Sequence, residues 1–248
     1  NGRAPRLSPA LYGAVIDAAH RRALRVNAHV FYHSDAEALV AAGIDGLVHL
    51  VRDAEMSDEL IGAIVARNVY VNANMSNPRR STQAGLPQWL TPADPLFALL
   101  NESVAPELLA KIQAAFAQRD PRAAADARER YAILERSLRK LDAAGAKVVL
   151  GADTGVEDHP FGVAEHLELE AMVDAGLSPA HALAAATSRA AEYLHLADRG
   201  SLVPGKRADL LVLDASPLDD IVNTRRISQV FIDGTEIDRA ALRSQLSE

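Results

Sequence analysis

The chain has 248 residues, 49% hydrophobic and 24% charged, which is the make-up of an ordinary globular protein. No apolar run approaches the ~20 residues of a membrane span. A formal net charge of −7 argues against nucleic acid as a partner, because phosphate binding needs a basic face. The absence of cysteine excludes disulfides and thiolate metal ligands and leaves the compartment open.

Residues 1–5 read as part of a loop. Ser8-Pro9 supplies an N-cap with proline at the first helical position, and Leu11, Val15, Ile16 and Ala19 form the apolar face of the helix that follows. Residues 25–32 (RVNAHVFY) read as a strand with His29 near its end. The pattern then repeats. Ser34-Asp35 opens a helix closed by Gly43, and residues 44–51 (IDGLVHLV) form a strand carrying His49. Ser57 caps a third helix with Leu60, Ile61, Ile64 and Val65 on its apolar face, and residues 68–75 (NVYVNANM) form the next strand. Alternating helix and strand with short connections indicates a parallel sheet with crossover helices.

The fourth unit is stretched by a Pro-rich piece over residues 86–95 and further helical pattern, either a lid or pocket wall or a plain surface decoration. A long helix over residues 126–144 leads into the strand at Lys147. Residues 163–175 form a helix stopped by Gly176, and Ser178-Pro179 starts another that runs to about Leu194. The tail differs in kind: after a turn at 200–206, residues 208–214 (ADLLVLD) and 227–233 (ISQVFID) are short strands of a small β domain. The expected division is 1–199 for the helix–strand units and 200–248 for the β part.

Four helix–strand units make half of a (β/α)8 barrel, which has eight strands and typically ~250 residues. The expectation is therefore the second half of a TIM barrel, with an N-terminal half carrying four further strands lying upstream of this sequence. An open doubly wound sheet is the alternative, but no Gly-rich phosphate loop follows any strand.

The chemistry centres on residues 147–155 (KVVLGADTG). Val148, Val149 and Leu150 are the unbroken apolar run of a strand buried on both faces, and Asp153 follows where that strand ends. In a barrel that end is the catalytic face; the plainer role for Asp153 is a helix cap or a turn with Gly155. Asp-Thr-Gly is also an aspartic-protease signature, but the flanks here are helical and no second copy is present, so that reading is rejected. Of eight histidines, His20, His166, His181 and His195 lie in helical pattern, and His33 and His159 in loops. Only His29 and His49 sit at the ends of buried strands. Two imidazoles and a carboxylate at equivalent ends of three strands converge on one face, a geometry that suits a divalent cation.

His29 in Asn-Ala-His-Val, His49 in Gly-Leu-Val-His and Asp153 in Gly-Ala-Asp-Thr-Gly resemble the fifth-, sixth- and eighth-strand metal positions of the amidohydrolase superfamily. The stretches 164–170 (AEHLELE), 175–179 (AGLSP), 185–187 (AAT) and 200–209 (GSLVPGKRAD) are similar to its imidazolonepropionase-like and metal-dependent dipeptidase branch. The resemblance implies a metal-dependent hydrolase of amide or related C–N bonds with one or two divalent ions, zinc foremost, and closing strands that complete a β-sandwich. The family's remaining ligands, a His-x-His on the first strand and often a carboxylated lysine on the fourth, have no match in these residues.

A divalent metal lowers the pKa of a water enough to hold hydroxide near neutral pH. Asp153 is then placed to take a proton from it and pass it to the leaving amine. Tyr32, Arg52 and His159 each follow a site residue and are candidates for the pocket wall, where Arg52 either pairs with a substrate carboxylate or stands as a solvated loop arginine beside Asp53. The partner is thus a small amide or dipeptide-like molecule, and a homo-oligomer is compatible with the sequence. A narrower reading is an Xaa-Pro or related dipeptidase; a reading of another class is a catalytically inactive barrel serving as a binding or scaffold protein.

Overall fold

The structure, a computed structural model, describes residues 6–156 and 158–246. Its centre is a parallel four-stranded sheet, β1 (Asn27–His29), β2 (Gly46–Val48), β3 (Tyr70–Asn72) and β4 (Lys147–Val149), in that spatial order. The register is even across the sheet: Asn27, Gly46, Tyr70 and Lys147 align at one end and His29, Val48, Asn72 and Val149 at the other. All four carboxyl ends therefore emerge on the same side.

Helices α1 (Pro9–His20), α2 (His33–Ala41), α3 (Asp58–Ala66), α4 (Ser76–Arg80), α5 (Pro95–Ser103), α6 (Pro106–Ala117) and α7 (Pro121–Ala143) precede β4. After it come α8 (Ala164–Asp174), α9 (Pro179–Ala186) and α10 (Ser188–Tyr193). The caps read from the sequence form as expected: Ser8, Ser57 and Ser178 accept from the backbone N–H of Leu11, Leu60 and His181. Leu47, Val71 and Val148, each almost wholly buried, are the middle of a core shared with Ile16, Val40, Ile64, Leu138 and Met172 from the surrounding helices. Sheet hydrogen bonding alone would not close this layer; burial of the helix faces does.

Several elements differ from expectation, each for a local reason. The strands are three residues long, where the first three were expected to run to eight; His49 (φ 75°) and Asn74 (φ 43°) turn the backbone out of extended geometry just beyond β2 and β3, and Asp153 (φ 55°) does so four residues past β4. Helix α2 starts at His33, not Ser34, so His33 lies on a helix rather than in a loop; its Nε2 accepts from Ser57 N–H at 3.1 Å. Helix α7 begins five residues before the expected 126, with Asp120 as its cap and Pro121 at its first position, the Asp-Pro signal for a start. The single helix expected over residues 179–194 is broken at Thr187 (ψ −88°), where the chain at Gly200 passes so close that an added Cβ would lie 2.9 Å from the Thr187 carbonyl oxygen.

The 81–120 insertion has its own apolar centre. Trp89, Leu90, Leu96, Leu100, Leu109, Ile112 and Phe116 are buried together and rest on Val163 and Leu167 of the segment entering α8. It is joined to the rest by buried Arg225, whose guanidinium reaches Asp94 at 2.7 Å and also pairs with Glu170 of α8. Arg225 ends a 3-10 turn between β5 (Leu210–Leu213) and β6 (Ile227–Ile232), the pair anticipated in the tail. A third strand, β7 (Thr235–Glu236), completes the antiparallel sheet in the order β5-β6-β7, and α11 (Arg239–Leu246) follows.

Beneath the carboxyl end of β3 lies a fully buried acid, Glu168 on α8. Its two oxygens accept from Met75 N–H at 2.7 Å and Ser76 N–H at 2.6 Å. Burial lifts its pKa from 4.5 to about 7, against the opposing pull of those donors and of Arg79.

Two outcomes test this packing. Truncating fully buried Phe116 to alanine should cost about 3 kcal/mol or more locally. Amide exchange should quicken through α5 and α6 while β1–β4 stay protected, and uniform loss of protection would show that the insertion is not a separate cooperative unit. For Glu168, the folded chain holds the proton more tightly than the unfolded one, so its stabilising contribution is complete below the unfolded pKa and is lost as pH rises through about 7. The span is worth about 3 kcal/mol at 1.36 kcal/mol per unit. Urea melts of Glu168→Gln should show a flatter fall of stability between about pH 5 and pH 8 than wild type; an unaltered slope would place the titration elsewhere.

Candidate active site at the carboxyl ends of the parallel strands

His29 ends β1 opposite Val48, and His49, the next residue along with a left-handed φ of 75°, meets it there. His29 Nδ1 and His49 Nε2 face one another at 2.8 Å, with ring centroids 4.8 Å apart. On its other side, His49 Nδ1 lies 2.7 Å from the Asn74 amide nitrogen, so that nitrogen accepts from the amide and Nε2 donates to His29. Burial pushes the His49 pKa down to about 4, helped by the positive charge of Arg52 and by His29 and only partly opposed by Asp153. His49 is therefore a neutral imidazole at neutral pH, the form that binds metals.

A second buried atom bears on what the pair can hold. Asn74 Oδ1 is enclosed and, among the described residues, has no hydrogen-bond partner. Turning that amide over places Oδ1 against His49 Nδ1, gives it a proton to accept and leaves the Nε2 lone pair pointing toward His29. Two imidazoles aimed at one point, one with an outer carbonyl ready to fix its tautomer, form a donor set that fits a divalent cation. Among the described residues no third His, Asp or Glu closes with them into a cluster.

Asp153 stands beside the pair rather than in contact with it. Its charge acts on His49 and on Arg52, but its Oδ2 is taken by the Asn77 amide at 2.6 Å, and that amide also donates to the Asp153 carbonyl at 3.2 Å. The three-way convergence expected from the sequence is thus an imidazole pair and a neighbouring carboxylate. Arg52 is half-buried, which lowers its pKa against the pull of Asp153, and its guanidinium makes no hydrogen bond or ion pair among the described residues. Tyr32 caps the start of α2 with its ring between Phe31 and the guanidinium of Arg6.

His159 takes a different place from the pocket wall expected of it. It is wholly buried, its Nε2 lying 2.9 Å from the Ala152 carbonyl and 3.1 Å from Ser76 Oγ, and burial beside Arg80 drives its pKa down to about 4. It ties the loop after β4 to the turn after β3. Three further histidines are structural partners: His20 meets Asp45, His166 meets Thr224 and His181 meets Asp142.

Sequence reasoning missed Asn74, Asn77, Arg80 and Glu168. The two asparagines carried a usable signal, since polar residues just past a buried strand mark its working end. Arg80 and Glu168 carried none: Glu168 sits among apolar helix positions with no pattern that separates it from a surface acid.

A cavity of about 590 Å³ opens at the opposite end of the sheet, lined by Arg25, Asp45, Tyr70, Lys147 and Glu192 among others. Within it Lys147 pairs with Glu192 at 2.7 Å and Arg25 lies over the rings of Tyr70 and Tyr193.

Residues 2–237 match the Amidohydrolase family. Imidazolonepropionase from Deinococcus deserti (strain DSM 17065 / CIP 109153 / LMG 22923 / VCD115) is 40% identical over 92 residues, 37% of this chain and 23% of that protein. Among solved structures, phenylurea hydrolase B aligns with TM-score 0.66 and 28% identity over 95% of this chain and 48% of that one. A Xaa-Pro dipeptidase with bound methionine in its active site aligns with TM-score 0.68 over 96% of this chain and 50% of that one; at 20% identity it shares the fold. The chain spans about half the length of these structures. With a match over nearly its whole length, the chain belongs to the Amidohydrolase family.

Proposed function

We propose that this chain carries part of the active site of a metal-dependent amidohydrolase that cleaves an amide or related C–N bond of a small molecule. The observation that carries this is the pair of His29 and a neutral His49, 2.8 Å apart with a carboxylate beside it, at the carboxyl end of a parallel sheet. His29 through Nδ1 and His49 through Nε2 would hold the cation, with Asp153 adjacent. A divalent metal bound there supplies an acidified water and a Lewis-acid pull on the substrate oxygen.

The remaining steps fall to the protein. Asn74 fixes the His49 ring and, with its carbonyl turned inward, the tautomer that leaves Nε2 free. Asp153 takes the proton from the attacking water and hands it to the departing nitrogen, which leaves as an amine, so the same carboxylate acts first as base and then as acid. Its exposed side chain keeps it open to a substrate entering from the strand ends.

Arg52 favours a narrower reading within this class. An unpaired, half-buried guanidinium beside the site suits a substrate ending in a free carboxylate, as a dipeptide or an N-acyl amino acid does. Likeness in fold to a Xaa-Pro dipeptidase agrees with that class of substrate.

In the zinc-loaded full chain, Asp153→Asn should lower kcat by about a hundredfold or more with the melting temperature little changed; retained turnover would remove Asp153 from the reaction. Arg52→Ala should raise KM for a dipeptide about tenfold or more while leaving the corresponding dipeptide amide unaffected. Equal efficiency of wild type and variant on both substrates would show that Arg52 makes no carboxylate contact.

A further inference from the structure

The Asp153 carboxylate is exposed, on a loop, at a residue with left-handed φ of 55°. Nothing in such a setting fixes its rotamer by packing. We propose that Asn77 is the positioning residue that does so, its amide locked in one orientation by Arg80; this rests on the reading of Asp153 as the proton-transfer group.

An isolated asparagine beside a carboxylate could present either end of its amide. Here the ambiguity is removed by chemistry. Arg80 Nη2 donates to Asn77 Oδ1 at 2.8 Å, and Arg80 Nε donates to the Asn77 main-chain carbonyl at 3.2 Å. A guanidinium has only donors, so the amide oxygen must face it. The amide N–H group is then turned to Asp153, with Nδ2 2.6 Å from Oδ2 and 3.2 Å from the residue's own carbonyl oxygen. Reversing the amide would set oxygen against carboxylate and N–H against guanidinium, two repulsive contacts in place of two attractive ones.

Arg80 is itself held. It pairs with Asp158, which also pairs with Arg119, and Arg119 donates to the Arg80 carbonyl. The guanidinium is thus engaged on Nε, Nη1 and Nη2 and serves as a strut rather than as a ligand site. The backbone under Asn77 is fixed in turn, because Glu168 accepts from the N–H groups of Met75 and Ser76 immediately before it. Rigidity therefore runs without a gap from the buried acid on α8 to the carboxylate at the surface.

The consequence is a division of labour between the two carboxylate oxygens. Oδ2 is tethered to Asn77 and Oδ1 is left as the oxygen that exchanges protons with water and leaving group. Without the tether both rotamers and both oxygens compete, and the reactive arrangement is visited only part of the time.

The test uses the zinc-loaded full chain, amino acid p-nitroanilides as probe amides, and crystal structures of the variants. Asn77→Ala removes the donor. Asn77→Asp keeps the shape and strengthens the link to Arg80 but also lacks the donor, so a purely structural role would survive it. Both should lower kcat by roughly tenfold to a hundredfold with KM within about threefold of wild type, the range seen when the outer partner of a site group is lost. Structures of Asn77→Ala should show the Asp153 carboxylate rotated away from its wild-type position. If Asp153→Asn is inactive while either Asn77 variant keeps wild-type kcat, the positioning role is overturned and the hydrolase reading stands. If wild type cleaves none of the anilides, the carboxylate position alone decides: displacement in Asn77→Ala supports the role, and an unmoved carboxylate overturns it.

Discussion

Two short hydrogen bonds set the working end of this molecule: Met75 N–H and Ser76 N–H to the buried carboxylate of Glu168. They hold the chain at the point where β3 stops and α4 starts. The residues on either side of them, Asn74 and Asn77, meet the His49 ring and the Asp153 carboxylate. An ionised acid enclosed by protein costs several kcal/mol in lost hydration. Charge-assisted bonds return about 1.5–3 kcal/mol each, so the two together come close to offsetting it. A pKa raised to about 7 is what such a near-balance leaves behind.

The same balance governs the imidazoles. Arg52 and burial together keep His49 neutral, and a neutral ring offers a lone pair where a charged one would repel a cation. Yet the positive charge cannot be so strong as to displace a metal. Asp153 opposes Arg52 and Arg80 directly, and Asp158 is shared between Arg80 and Arg119. The site thus has guanidinium groups with carboxylates beside them, and the charge of Arg52 reaches His49 only partly offset by Asp153.

How much of this could be read from the sequence depends on the distance over which each signal acts. Helix starts were legible because a cap is local: Ser8, Ser57 and Ser178 each bond within three residues. The parallel sheet was legible because apolar runs such as Val148 and Val149 recur between amphipathic segments. His29 and His49 were legible once the strands were placed, since both fall at the carboxyl ends of adjacent parallel strands, His29 opposite Val48 and His49 one residue further on. The rest depends on partners far along the chain. Glu168 acts on residues 92 and 93 positions away and Arg225 on one 131 positions away, and no local pattern announces either. His159 shows the limit in the other direction: a histidine in a loop beside the site looks like a pocket residue, and only the packing of Ser76 and Ala152 against it makes it a brace.

Backbone strain separates what builds the fold from what builds the site. Among the described residues, seven other than glycine have positive φ. Ala23, Asn68 and His195 close helices α1, α3 and α10, and Asp233 sits in the β6–β7 hairpin, where a left-handed residue is the usual way to stop or reverse a chain. His49, Asn74 and Asp153 have no such excuse. Each follows a parallel strand at the same end of the sheet, and each costs roughly 1 kcal/mol or more to hold there. Each also makes a side-chain bond within the candidate site: Asn74 with His49, His49 with His29, and Asp153 with Asn77. Left-handed residues that neither cap a helix nor close a hairpin, and whose side chains are bonded at the working end of the sheet, serve the arrangement of those side chains rather than the path of the backbone.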